Sequence, residues 1–235
     1  MNNYHHQFTM QLTSNLSAAA MQLAHTSSIF FFFFSLLLLL GSIATVESTT
    51  SPNPKTPLDD FINKSCQVTL YPDLCYSSLS SSYTGDPDLG KLTYAAINIS
   101  HAEAIHAADY VMTLSNKKTS TGDDEAILDC VELTEESVQQ VRKSRNQMAT
   151  VLRSGSRAQK KDEREKRKRR FEMSNVQTWM SAAITDQNTC IDGFSDDKGG
   201  KKDDEEEEVT MKVRMVVKFI SNALALVNSF VDATL

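Results

Sequence analysis

VQTWMSAAITDQNTCIDGF, residues 176–194, decides how this chain folds. Its apolar side chains Val176, Trp179, Met180, Ala183, Cys190 and Phe194 share one face at about 100° per residue, with Gln187 as a polar intruder on that face. Asp192-Gly193 supplies a C-terminal stop. The segment holds the only tryptophan and the last cysteine. A cysteine on the buried face of an amphipathic helix is placed to bridge to a neighbouring helix. The other segments are therefore read as what packs against this one.

Three more helices follow from the same periodicity. Downstream, residues 209–231 present Val213, Val216, Val217, Ile220, Leu224, Val227 and Val231 on one face. Upstream, residues 123–152 present Ile127, Cys130, Val131, Thr134, Val138, Val141, Met148 and Leu152, and Asp123, Asp124 and Glu125 suit the positive start of that helix. Residues 87–116 present Leu92, Ala95, Ala96, Ile99, Ala102, His106, Tyr110 and Leu114, with Asp86 as N-cap and Pro87 at the first helical position. Residues 117–122 read as a turn. Eight glycines and five prolines in 235 residues suit helices better than a turn-rich β-sandwich. The expectation is an all-α chain, an antiparallel four-helix bundle.

Residues 58–63 and 72–79 read as short helical pieces around Cys66 and Cys75, a hairpin too small to hold a core alone. Two charged runs interrupt the periodicity. A basic insert spans 153–172, with KKDEREKRKRR at its centre, and a charged linker spans 195–208. Such runs bury no apolar area and are expected to be solvated and mobile; the basic run could instead extend a helix.

The compartment follows from the N-terminus. Residues 29–40, IFFFFFSLLLLL, are too short for a comfortable bilayer crossing, which takes about 20 residues, and have the length of a secretory h-region. Ser42-Ile43-Ala44 places a cut after Ala44, so 1–44 is expected to be a signal peptide and the chain's only engagement with a membrane. No Lys or Arg precedes the run, and a start at Met21 would give a signal of ordinary length. Residues 45–57 then form a flexible lead-in, and 58–235 the folded domain. Export makes disulfides the default state of Cys66, Cys75, Cys130 and Cys190. Four cysteines allow three pairings. Proximity and helix facing favour Cys66–Cys75 and Cys130–Cys190. Asn63 and Asn98 lie in glycosylation sequons.

The chemistry is sparse. Glu103 and His106 have the Glu-x-x-His spacing of bundle di-iron sites, but such a site needs a second unit and two more glutamates, while the mature part has only His101 and His106. An oxidised cysteine set leaves no thiolate nucleophile, and no phosphate loop, nucleophile elbow or zinc spacing is present. No metal, no cofactor and no catalysis are expected. A net charge of −6 opposes bulk attraction to nucleic acid, and the basic run lacks interleaved aromatics for base stacking.

TLYPDLCYSSL (69–79), ILDCVELTEESVQQV (127–141), NVQTWMSAAITDQNTCIDGF (175–194) and SNALALVNSF (221–230) together resemble the plant invertase and pectin methylesterase inhibitor family. The resemblance implies an up-down-up-down bundle preceded by a helical hairpin, with the same two disulfides. It implies inhibition by docking, either over the pectin-binding cleft of pectin methylesterase or into the active site of an acid invertase. Invertase-directed members are similar to one another in a Pro-Lys-Phe turn element, which is absent here, so pectin methylesterase is the favoured partner and acid invertase the alternative. A third reading is a pectin-binding wall protein using the basic run. Glu132, Glu136, Gln140, Gln177 and Thr178 are the expected partner contacts, and the cell wall outside the cell is the expected location. The basic insert departs from the family, in which that turn is short. A pro-region ahead of a catalytic β-helix is the related alternative, and the expectation is a free inhibitor.

Overall fold

The computed structural model describes residues 56–118, 125–155, 163–194 and 204–235. The expected signal peptide, most of the lead-in and the centres of both charged runs lie outside those residues. Six helices are present among the described residues: α1 Pro57–Cys66, α2 Pro72–Ser82, α3 Leu89–Lys118, α4 Glu125–Gly155, α5 Glu163–Gly193 and α6 Asp204–Thr234. Among the described residues there is no strand.

The long helices form a closed ring. Each of α3, α4, α5 and α6 packs on the next, and α6 closes on α3. Neighbours run in opposite directions. The disulfide Cys130–Cys190, the bond from Ser137 Oγ to the Ala183 carbonyl (3.2 Å) and that from Ser144 Oγ to the Val176 carbonyl (3.4 Å) descend α4 while ascending α5 in matched steps. Thr93 reaches the Leu226 carbonyl, while Tyr110 lies beside Lys212, which sets α3 antiparallel to α6. This is the up-down-up-down bundle.

Its seams follow a strict 3-4 alternation. On α4 the buried side chains are Ile127, Cys130, Thr134, Ser137, Val141, Ser144, Met148 and Val151; the inward line of α5 is Met173, Val176, Met180, Ala183, Gln187 and Cys190, continued by Phe194 just past its end, with Ile191 buried beside it. An average of 3.5 residues keeps each seam facing its neighbour along its whole length. The expected apolar faces were partly misassigned as a result. Trp179, Val131, Val138, Leu152, Val217, Leu224 and Val231 are only half-buried, and Ala102 and His106 are exposed. On α3 the inward line is Thr93, Ile97, Ser100, Ala104, Ala107, Val111 and Leu114. Small hydroxyl residues are tolerated there because their own helix satisfies them: Thr93, Ser100, Thr134 and Ser144 each donate to the carbonyl four residues back.

Helix ends follow local chemistry. A capping box opens α1: the Asp59 amide donates to Thr56 Oγ1 (3.1 Å) and the Thr56 amide donates to the Asp59 carboxylate (2.9 Å), with Pro57 in the first turn. The cap of α3 is Asp88, whose Oδ1 accepts from the Lys91 amide at 2.8 Å, and not Asp86. Asp86 instead offers its carbonyl to the Tyr83 hydroxyl. Helix α5 begins at Glu163, so the second half of the basic insert is helical. Glu, Lys and Arg are good helix formers, and Glu165–Arg169 and Lys168–Glu172 stand at i,i+4 with 4.0 Å separations. Likewise Asp204, Glu205, Glu206 and Glu207 form the first turn of α6, where acidic side chains meet the positive end of the helix.

Cys66–Cys75 joins α1 to α2 with Cα atoms 5.6 Å apart. The hairpin leans on α3 and α6. Asn222 of α6 clamps its turn twice, accepting from the Tyr71 amide at 3.0 Å and donating to the Tyr71 carbonyl at 2.9 Å.

Candidate partner-docking surface

Cys130 and Cys190 bring α4 and α5 to a Cα separation of 4.6 Å. Ser137, Ser144 and Ala183 continue that close approach along the seam. The outer faces of α4 and α5 are thereby fixed relative to each other.

Between α3 and the outer face of α4 runs a groove of about 440 Å³. Ile105, Ala108, Met112 and Val138 supply its apolar lining, and Asp109, Glu132, Glu135 and Glu136 its carboxylates. Among the described residues no basic side chain lines it. Asp186 of α5 adds to the negative field. Burial first, and then the charge of Glu136, raise its carboxyl above the ordinary range, and its Oδ2 is buried with no hydrogen-bond partner.

Further along α4 the sign reverses. His101 Nδ1 lies 3.2 Å from Arg145 Nη1. A guanidinium only donates, so Nδ1 accepts and the ring proton sits on Nε2, which is buried without a partner. Burial, then Arg145, then Arg142 lower the pKa of His101. The α4 surface is therefore acidic near its N-terminus and basic near its C-terminus, as the helix dipole favours. At the acidic end Tyr110 ties α3 to α6. Burial and then its hydrogen bond to Glu208 push its hydroxyl up to about 12. Lys212 stands 3.4 Å from Glu208 and 4.7 Å from the Tyr110 ring centre.

The five expected contact residues do not form one cluster. Glu132 and Glu136 line the groove together. Gln140 is half-buried on α4, with Oε1 buried and unpartnered. Gln177 turns to α6, where its Nε2 donates to Asn228 Oδ1 at 2.8 Å. Thr178 is exposed on α5 and bonded to the Ser174 carbonyl. Asp109, Glu135 and Asp186 were not anticipated. Glu135 was legible from its i,i+3 spacing to Glu132, whereas Asp109 and Asp186 required the packing of three helices. The sequon residues Asn63 and Asn98 are both half-buried on helices, and the sequon hydroxyl of Ser100 is buried. Among the described residues no group of three His, Cys, Asp or Glu side chains could hold a metal ion.

Residues 60–226 match the family described as Plant invertase/pectin methylesterase inhibitor. The chain belongs to this family. It is 36% identical to Pectinesterase inhibitor 9 of Arabidopsis thaliana over 197 residues, covering 81% of this chain and 90% of that protein. It is 35% identical to the "21 kDa protein" of Daucus carota, covering 74% of this chain and 85% of the relative. A crystal structure of mutant form A of a pectin methylesterase inhibitor from Arabidopsis superposes with a TM-score of 0.50 at 16% identity, covering 69% of this chain and 92% of that one, which shows the shared fold.

Proposed function

We propose that the protein is a secreted, non-enzymatic inhibitor of pectin methylesterase. The supporting kinship is to relatives named pectinesterase inhibitors. The apolar run at 29–40 supports export to the cell wall. The observation that carries the mechanism is the rigid α4 surface, backed by Cys130–Cys190 and bearing the acidic groove. A surface held before contact loses little conformational freedom on binding, so complementarity converts into affinity. Docked as a stoichiometric complex across the pectin-binding cleft, this face excludes the polymer without reacting with it. Glu132 and Glu136 are its charged contacts; Gln177, engaged with Asn228, is a less direct one.

Titrating the purified oxidised protein into pectin methylesterase should abolish methanol release at a fixed molar ratio. Glu132→Ala/Glu136→Ala should weaken the complex by roughly 1–3 kcal/mol. An unchanged inhibition constant for that variant would remove the groove from the interface. Inhibition of acid invertase in place of pectin methylesterase would overturn the choice of target.

A further inference from the structure

Arg164, Arg167, Lys168 and Phe171 stand at i, i+3, i+4 and i+7 on α5, so they share one helical face. All four are exposed, Phe171 at 69%. The face points away from the seam that begins at Met173 and extends about 10 Å along the axis, at 1.5 Å per residue. Folding does not account for it. Residues 163–172 carry six Lys or Arg against three Glu, and cations at a helix start oppose its partial positive charge. Phe171 buries little of its ring.

The helix start is also held in place. Arg169 Nη2 donates to the Ser154 carbonyl of α4 at 3.5 Å, and Arg170 Nη2 to the Leu235 carbonyl beyond α6 at 2.5 Å. These ties hold the helix start against α4 and the end of α6, with the opposite face exposed. Lys168 stands 4.0 Å from Glu172, at the outer limit of an ion pair; the lysine is exposed and the glutamate half-buried, so the ammonium can turn outward to a ligand carboxylate.

We propose that this face binds a linear polymer of carboxylated pyranose rings, the de-esterified form of pectin. The guanidinium and ammonium groups take successive carboxylates. The Phe171 ring takes the C–H face of one sugar, where its negative π-surface meets the weakly positive hydrogens. A membrane surface would call for a broader apolar face than a single ring. The whole chain is acidic at −6, so the attraction is confined to this end of the bundle. This goes beyond enzyme inhibition: it would hold the protein on carboxylate-rich polymer, independently of whether the α4 face is occupied.

Affinity electrophoresis of the oxidised protein tests it, in gels containing polygalacturonate, highly methyl-esterified pectin or poly-L-glutamate. Polygalacturonate should retard the protein and the methyl-esterified polymer should not, with retardation fading as salt shortens the screening length. Arg164→Gln/Arg167→Gln/Lys168→Gln should lower the affinity on the order of tenfold. Phe171→Ala should weaken binding to polygalacturonate but not to poly-L-glutamate. Circular dichroism of each variant should match the parent, since every altered side chain is exposed. The proposal is overturned if the parent migrates freely through polygalacturonate at low salt, or if the triple variant is retarded as strongly as the parent. Tighter binding to anionic lipid vesicles or to RNA than to polygalacturonate would also overturn it.

Discussion

The two ends of the bundle are held by different means. At the end containing the hairpin, an extended core joins Ile62, Leu79, Leu92, Ile97, Met148, Met173, Met180, Ile220 and Leu226, and the hairpin adds a further covering layer. At the other end a smaller cluster stands apart, built from Val111, Leu114, Ile127, Cys130, Cys190, Ile191, Phe194, Val209 and Val213. Gln187 and Thr134 fall between the two clusters on α5 and α4. Both side-chain polar atoms of Gln187 are buried without a hydrogen-bond partner. The longer-range disulfide thus lies in the smaller of the two clusters, just N-terminal on α4 to the groove residues Glu132, Glu135 and Glu136. Covalent closure adds to apolar burial at that end, whereas Val138 of the groove packs on the larger core.

Removing the crosslinks in turn should break this comparison most strongly. Cys130→Ser/Cys190→Ser opens a link with a sequence separation of 60 and should cost about 4 kcal/mol in denaturant unfolding on the loop-entropy account. Cys66→Ser/Cys75→Ser opens one with a separation of 9 and should cost about 2.5 kcal/mol on the same account. Hydrogen exchange should localise the first loss to the ends of α4 and α5 around the smaller cluster. Uniform acceleration across the bundle would show that the two ends do not differ.

A smaller effect of opposite sign tests the polar break. Gln187→Leu removes two unpartnered polar atoms from the interior and joins the clusters with apolar contact. It should stabilise the protein by about 1–3 kcal/mol, read as a higher denaturation midpoint at constant m-value. A destabilised variant would mean that the amide of Gln187 is satisfied in solution.

The smallest effect is electrostatic. Burial and Glu136 raise the carboxyl of Asp186, so the folded chain holds that proton more tightly than the unfolded chain. Its contribution is most favourable below the ordinary carboxyl pKa and is lost as pH rises through the raised folded value. Asp186→Asn should therefore stabilise the protein at neutral pH and change little in strong acid. At the basic end the slope reverses. The pKa of His101 is lowered, so its contribution is present above the ordinary imidazole pKa and is lost as pH falls from there through the folded value. His101→Gln should flatten the stability profile on the acidic side of that ordinary value. Parallel pH profiles for both variants would erase the electrostatic distinction between the ends.

Much of this organisation was legible in the sequence. The periodic runs gave four long helices, and cysteine placement limited the ways of crosslinking them. The faces were less legible because a seam of Thr93, Ser100, Thr134, Ser137 and Ser144 does not read as apolar. Half-buried residues such as Trp179 and Val138 drew the expected stripe to one side. The basic run left a solvated linker and a helical extension both open in the sequence, and over residues 163–172 the structure takes the helix, with i,i+4 pairs along it.

The sequence by itself determined the helices, their approximate extent and the family, because periodicity, caps and cysteine-bearing motifs are local properties of the chain. Only the tertiary structure decided which side chains face inward and which carboxylates converge. A hydroxyl becomes a core residue only once its own helix satisfies it and a neighbour closes over it. Asp109, Glu136 and Asp186 influence one surface only because three helices are brought side by side.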